Sequence, residues 1–179
     1  MKKILYCVAL LFAFYGCKSP EDDIKTLNVF FTDLSEVYTN DFTGPDADDV
    51  TKIDFAVKRM LNKNPEMFTP VGKRSFGIDT AKVHATVLQY FSYPVKKPQN
   101  TVDVDLTSEG KYEIMKSGST EKIFSKVEKI VAERNDTLLL EVNVYSGAEG
   151  AEAALYKKMR SVVVRKDGGF RIVSYTPSK

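Results

Sequence analysis

Few residues of this chain could take part in chemistry. The single histidine, His84, could move a proton near neutral pH if a carboxylate or a tyrosine faced it, and otherwise it is a structural or surface histidine. Carboxylates that could hold a hard cation are grouped at positions 46, 48 and 49 and at positions 103 and 105. The first group lacks the glycine and the distal glutamate of the helical calcium loop, so it fits a helix cap better, and the second fits the solvated face of a strand. The sequence therefore predicts no metal site.

Sequence motifs that carry catalysis or hold cofactors do not occur in this chain. It contains no nucleophile elbow, phosphate-binding glycine loop, zinc signature or dinucleotide fingerprint. We therefore predict no catalytic residues and no cofactor, and an enzyme is the less favoured interpretation. Tyr90, Tyr112 and Tyr145 are instead candidates, with His84, for lining an apolar pocket that has a few polar groups. The alternative is that these tyrosines fill the core or its margin.

The N-terminal residues have the pattern of an export signal. Two lysines precede an apolar run over residues 4–15, which is shorter than the roughly 20 residues of a membrane-spanning helix. The segment Phe14-Tyr15-Gly16-Cys17 that follows resembles the lipobox of bacterial lipoproteins, in which a small residue precedes a cysteine that is acylated and cleaved in front. Gly16 and Cys17 match that pattern, whereas the two aromatic residues stand where a leucine and a small residue are usual.

The resemblance to lipoproteins implies a modification and a location. Residues 1–16 are then a signal peptide, Cys17 carries palmitate-type acyl chains, and residues 17–22 form the tether of a single domain over residues 23–179. The expected location is the cell envelope, at the outer membrane. The acidic run at 21–23 resembles a surface-export signal but equally favours the start of a helix, so the periplasmic and the external face both stay open. The alternative is an ordinary signal peptide with an incidental cysteine.

Cysteine and charge counts exclude further classes of function. The chain has 2 cysteines, Cys7 in the signal and Cys17 at the lipid site, so the mature protein has none left for a disulfide, a thiolate metal site or a nucleophile. Cleavage also removes Lys2 and Lys3, which takes the formal net charge from +2 to 0. A nucleic-acid partner is disfavoured because such proteins usually carry a basic excess. The expected partners are the membrane and either a small apolar ligand or an envelope protein.

The spacing of apolar residues predicts three helices in the first half of the domain. Helical periodicity runs from about residue 22 to 38, from the acidic group at 46–49 to residue 64, and from residue 79 or 80 to 93. Residues 65–78, between the second and third helices, are predicted to be irregular.

The second half of the domain is predicted to be mostly β-sheet. Apolar and polar residues alternate over 102–106 and 112–114. A hairpin is predicted around Asn135-Asp136, and its first arm, 124–133, fits either a strand or a short helix. A second hairpin is predicted from 156 to 175, with its turn at Asp167-Gly168-Gly169.

This order of elements is similar to the nuclear transport factor 2-like fold, a relative of the cystatin-like fold. The resemblance covers roughly residues 22–176 and implies an α+β domain in which three N-terminal helices pack against a bent antiparallel sheet around a cone-shaped cavity. The main alternative is another α+β arrangement with helices on one face of an antiparallel sheet. Members of the superfamily include isomerases and dehydratases, with Asp, His and Tyr in the cone, and many domains that only bind. We therefore expect a non-catalytic envelope lipoprotein that binds a small apolar ligand or a protein partner, with a small isomerase, dehydratase or hydrolase as the alternative.

Overall fold

The structure, a computed structural model, describes residues 20–37, 41–44, 48–115, 122–147 and 153–178. The predicted signal peptide, Cys17 and Asp46 lie outside the described residues. In chain order the elements are α1 (Pro20–Ser35), α2 (Asp49–Lys63), a 3-10 turn (Pro65–Met67), β1 (Thr69–Pro70), β2 (Ser75–Asp79), α3 (Thr80–Tyr90), β3 (Val104–Leu106), β4 (Lys111–Met115), β5 (Ile123–Arg134), β6 (Thr137–Ser146), β7 (Ala154–Lys166) and β8 (Gly169–Pro177).

The second and third predicted helices are confirmed. Helix α2 begins after Asp48, whose side chain accepts the backbone N–H of Val50 at 3.0 Å, so the capping interpretation holds for this residue. Helix α3 begins at Thr80, as predicted, but ends at Tyr90 rather than at residue 93. Phe91 leaves the helix with φ −115° and ψ 144°, and its backbone forms a bridge to strand β8. This tertiary contact shortens the helix.

The prediction that residues 65–78 are irregular is wrong. The 3-10 turn leads into strands β1 and β2, which form a hairpin with Thr69 opposite Gly77. Strand β2 then pairs with β4, which lies beyond α3 in the chain. The pairing is nonlocal, and five residues with a glycine at the centre alternate too weakly to predict it from sequence. Because β1 and β2 precede α3, the helices are not all N-terminal to the strands.

The strands of the described residues form two four-stranded antiparallel sheets. The first sheet has the order β1-β2-β4-β3 and the second has the order β5-β6-β7-β8. The arm that fitted either a strand or a helix is strand β5. The last predicted hairpin is confirmed, and Asp167 and Gly168 in its turn have φ of 52° and 79°, the left-handed pair that a tight hairpin needs. An α+β fold is therefore confirmed at the level of three helices and two antiparallel sheets.

Helix α1 lies along the free edge of β5. The Thr32 hydroxyl accepts the backbone N–H of Ser125 and donates to its carbonyl oxygen, both at 3.2 Å. The Asn28 amide oxygen accepts the N–H of Val127 at 2.7 Å. Side chains of a helix thus bond edge groups that a further strand would otherwise bond, which reduces the tendency of this edge to pair with another chain.

Aromatic rings occupy the interior between the helices and the second sheet. Phe42, Phe55 and Phe91 are each at most 1% exposed, and the ring of Phe91 lies 5.0 Å from that of Phe42 and 5.3 Å from that of Phe55, between centroids. Phe31 of α1 stacks on Tyr175 of β8 at 5.8 Å. Such offset and edge-on contacts contribute to stability beyond the area that they bury.

Candidate functional site

The structure brings two of the predicted site residues together. His84 lies in the second turn of α3, and its Nε2 is 3.3 Å from the hydroxyl of Tyr112 in β4. The local fold explains the pairing, because α3 begins directly after β2, and the Thr80 N–H at its start donates to the carbonyl of Gly110, just before β4. His84 is partly exposed and Tyr112 is fully buried.

A buried ion pair stands at the start of α2, near His84 and Tyr112. Asp49 is 9% exposed and Lys52 is 1% exposed, and the Asp49 Oδ1 lies 2.6 Å from the Lys52 Nζ. The other carboxylate oxygen accepts the backbone N–H groups of Lys96 and Lys97 at 2.9 and 2.8 Å, and the Lys52 ammonium also donates to the carbonyl of Pro94 at 2.7 Å. Both carboxylate oxygens are therefore engaged by groups of the protein itself.

The charges at this site are fixed by burial and by these bonds. Burial raises the pKa of Asp49, but the hydrogen bonds from Lys52 and from the backbone amides of Lys97 and Lys96 outweigh it and hold the pKa below its usual value. Burial lowers the pKa of His84, and the negative charge of Asp49 opposes this in part. The imidazole is thus neutral at neutral pH while the carboxylate is charged.

The hydroxyl of Tyr112 stays protonated at neutral pH. Burial raises its pKa, a hydrogen bond from the backbone of Gln99 opposes that shift, and the charge of Asp49 adds to it. A neutral imidazole and a protonated phenol can share one hydrogen bond, which links α3 to the first sheet. The nearby carboxylate of Asp49 is ion-paired with Lys52 and accepts two backbone N–H groups, and no hydrogen bond joins it to the imidazole among the described residues. The arrangement therefore fits a structural clamp better than a catalytic dyad.

Tyr90 belongs to a different cluster, between the three helices. Its hydroxyl donates to the Asp33 carboxylate at 2.9 Å, and the same carboxylate oxygen accepts from Arg59 at 2.8 Å. Its ring stacks on Phe30 at 5.6 Å and meets Phe55 edge-on at 4.9 Å. Burial, with the hydrogen bond to Asp33, raises the pKa of Tyr90 to about 12. Among the described residues, no hydrogen bond or ring contact joins Tyr90 to His84, so their sharing one pocket stays a prediction.

Tyr145 lies on the second sheet, on the face that points away from the core. It stands directly opposite Phe124 on β5 and Leu155 on β7, so the three side chains form a row across three strands. The rings of Phe124 and Tyr145 are stacked at 5.2 Å with an interplanar angle of 14°. Leu155 is 49% exposed, and Tyr156, the extra residue at a bulge beside it, is 55% exposed.

Two rows of mostly basic residues continue the aromatic row along this face. Cross-strand pairing places Lys126, Asn143 and Lys158 in one row, and Lys129, Glu141 and Arg160 in the next. Lys129 is paired with Glu141 at 3.2 Å, and Asn143 donates to Glu128 at 3.0 Å, whereas Lys158 and Arg160 are exposed. We call these three rows the outer rows; their nine residues are Phe124, Lys126, Lys129, Glu141, Asn143, Tyr145, Leu155, Lys158 and Arg160.

Sequence reasoning singled out Tyr145 but missed its neighbours in the outer rows. The signal in the sequence was the alternation of β6 and β7, in which lysine, arginine and tyrosine occupy the positions opposite the apolar ones. Alternation gives the face of each side chain, but only the register between strands shows that these residues meet in rows.

Comparison with known proteins identifies no relative: no family model, curated protein or solved structure matches the chain. Among the described residues, no group of three or more His, Cys, Asp or Glu side chains could hold a metal ion. No helix in the described part of the chain is long and apolar enough to cross a membrane.

Proposed function

We propose that this protein is a non-catalytic lipoprotein of the cell envelope whose domain binds a macromolecular surface through the outer rows. The observation that carries the proposal is the composition of that face. An aromatic and aliphatic row, Phe124, Tyr145 and Leu155, adjoins exposed Lys158 and Arg160 on one sheet. Tyrosine, phenylalanine and arginine are the side chains that binding surfaces favour, and strands hold them at fixed spacing.

Binding is favoured over catalysis because the titratable groups near His84 are already bonded within the protein. Asp49 bonds Lys52 and two backbone amides, and His84 bonds Tyr112. A macromolecular partner is favoured over a small apolar ligand because packed rings occupy the interior between the helices and the second sheet.

The proposed attachment to the membrane rests on the N-terminal sequence. Residues 1–16 act as the signal peptide, and Cys17 carries the acyl chains that hold the protein at the outer membrane. Two or three acyl chains anchor a protein far more stably than one. Helix α1 begins at Pro20, so the domain follows the lipid after a short tether.

We also propose that the domain is a member of the nuclear transport factor 2-like group of folds. Support comes from the contacts of α3, which touches strands of both sheets, β2 and β8, and from the buried faces that both sheets turn toward the helices. A bent sheet around helices produces this pattern.

Site-directed photo-crosslinking in intact cells tests the proposed binding face. A photoreactive residue replaces Leu155 in the outer rows or, as a matched control, Val29, which is 66% exposed on α1. We expect a crosslinked adduct, with protein or with lipid, from position 155 and not from position 29. Equal adducts at both positions, or none at position 155, would contradict the proposal.

A further inference from the structure

We propose that the outer rows rest on the anionic surface of the bilayer in which the protein's own acyl chains are anchored. The inference builds on the proposed function, because it names the macromolecular surface that this face binds. Its basis is the charge and the position of the second sheet relative to the start of α1.

The β7–β8 side of the second sheet has an excess of basic residues. The described residues 153–178 include six basic residues and one acidic residue, Asp167; Arg165 is paired with Asp23 and Glu133, and Arg171 is paired with Asp167. Lys158 and Arg160 in the outer rows are exposed, and they form no ion pair with the described residues. Basic residues near an anionic membrane surface are attracted to it over about a Debye length.

The α1 side of the molecule has the opposite charge. The described residues 20–37 include five acidic residues and one lysine. Three of these acids, residues 21–23, stand at the start of α1, the end nearest the proposed anchor, and Asp33 and Glu36 are ion-paired with Arg59 and Lys63. The acidic residues of α1 therefore do not decide the orientation. A bilayer is favoured over an acidic protein because the proposed anchor already places the domain beside a lipid surface.

The tether keeps the second sheet within reach of the bilayer. Only two residues, Lys18 and Ser19, lie between Cys17 and Pro20, so the start of α1 lies within about 11 Å of the anchored cysteine. That end of α1 is attached to the second sheet, because Asp23 is 2.7 Å from Arg165, and Arg165 is 2.7 Å from Glu133. The local concentration of the sheet at the membrane is therefore high, and weak contacts suffice to orient it.

The exposed apolar side chains suit the interface between lipid headgroups and acyl chains. Leu155 and Tyr156 are about half exposed, and the Tyr145 hydroxyl lies beside the amide of Asn143, at the polar edge of the aromatic row. Aromatic and basic residues together are the composition of surfaces that lie on membranes rather than crossing them.

Tryptophan fluorescence in vesicles tests this orientation, because the chain has no tryptophan of its own. The full-length protein, carrying Tyr145→Trp, is incorporated into vesicles of phosphatidylcholine with phosphatidylglycerol, or of phosphatidylcholine alone, that contain brominated lipid as a quencher. Leu155→Trp is a second reporter that does not disturb the stacked ring pair. Val29→Trp, on the acidic helix, is the matched control.

We expect strong quenching at positions 145 and 155 in the anionic vesicles only, reversed by salt, and little at position 29. In titrations with anionic lipid, the double variant Lys158→Glu with Arg160→Glu should need roughly tenfold more lipid, or beyond, to reach the same quenching. Lys25→Glu with Lys82→Glu, an equal change of charge at exposed sites outside the sheet, should leave it unchanged. Quenching that is equal at positions 29 and 145, or that is independent of anionic lipid, would overturn the proposal.

The molecular mass of the same protein preparation shows whether the protein is acylated. It therefore distinguishes a failure of this inference from a failure of the proposed function. An acylated protein that shows no quenching at position 145 in vesicles, but forms a protein adduct from position 155 in cells, would replace the bilayer by a protein partner and leave the proposed function standing. A protein without acyl chains is mixed with the same vesicles, so its quenching still measures the affinity of the sheet for lipid. Absence of quenching there overturns the orientation, and absence of acyl chains overturns the anchor.

Discussion

The buried ion pair between Asp49 and Lys52 offers a quantitative test of how the site is held. Asp49→Asn keeps the shape of the side chain but leaves the Lys52 ammonium, 1% exposed, without its anion at 2.6 Å. Loss of one partner of a buried ion pair typically costs about 3–5 kcal/mol. Single domains are stable by about 5–15 kcal/mol, so this substitution should remove a large fraction of the free energy of unfolding.

The assay is a double-mutant cycle in urea, followed by circular dichroism. Lys52→Met removes the charge and keeps much of the side-chain volume, and the double variant contains neither charge. We expect the double variant to be more stable than the sum of the two single effects predicts, by about 1–3 kcal/mol. Asp103→Asn is the control, because Asp103 is 55% exposed in its ion pair with Lys58 and should cost less than about 1 kcal/mol.

The pH dependence of the same variants follows from the pKa of Asp49. Its folded-state pKa lies below the ordinary value of 3.8, so the folded protein binds fewer protons than the unfolded chain in that range. The stability contributed by ionised Asp49 is therefore complete above pH 3.8 and is lost as the pH falls through the lower folded-state pKa. Additive effects in the cycle, or an Asp49→Asn cost no larger than that of Asp103→Asn, would refute this explanation of the site.

Three further outcomes follow from other contacts. The folded-state pKa of His84 lies below 6.5, so its contribution to stability is complete above pH 6.5 and is lost as the pH falls through the lower value. The urea midpoints of wild type and His84→Gln should therefore converge as the pH is lowered. Midpoints that stay equally far apart at every pH would contradict this. Asn28→Ala leaves the N–H of Val127 without its acceptor, and it should cost about 1–3 kcal/mol and increase self-association in sedimentation velocity, whereas Thr26→Ala on the exposed side of α1 should do neither. The pKa of Tyr90 is raised to about 12, so its contribution to stability is present below pH 10 and is lost as the pH rises through about 12. In an absorbance titration of the tyrosines, Tyr90→Phe should remove one phenol that ionises late. An unchanged late part of the titration would count against the contact with Asp33.

Local patterns in the sequence predicted the elements whose boundaries are set by local chemistry. Helix α2 has an aspartate cap and a regular apolar stripe. The last hairpin has a tight turn that needs left-handed backbone angles, and Asp167 and Gly168 adopt such angles more readily than most residues. Strand β2 was missed because its partners, β1 and β4, are supplied by the tertiary fold. The early end of α3 has the same cause, since the backbone of Phe91 pairs with β8.

The candidate site was predicted in part. The condition that His84 needs a tyrosine or a carboxylate nearby is met by Tyr112. The sequence pattern could not distinguish Tyr112 from Tyr90, because Tyr90 lies on the same helix as His84 and only the tertiary fold brings Tyr112 of β4 to the imidazole. The basic part of the outer rows was not predicted, because rows of side chains across strands depend on register and on the bulge at Glu128.

Mass spectrometry of the native protein, purified from membranes of its own host, tests the proposed anchor most directly. The proposal predicts an N-terminal peptide that begins at Cys17 and carries a diacylglyceryl group on its sulfur. A protein that begins at any other residue, or that carries an unmodified Cys17 thiol, would contradict it.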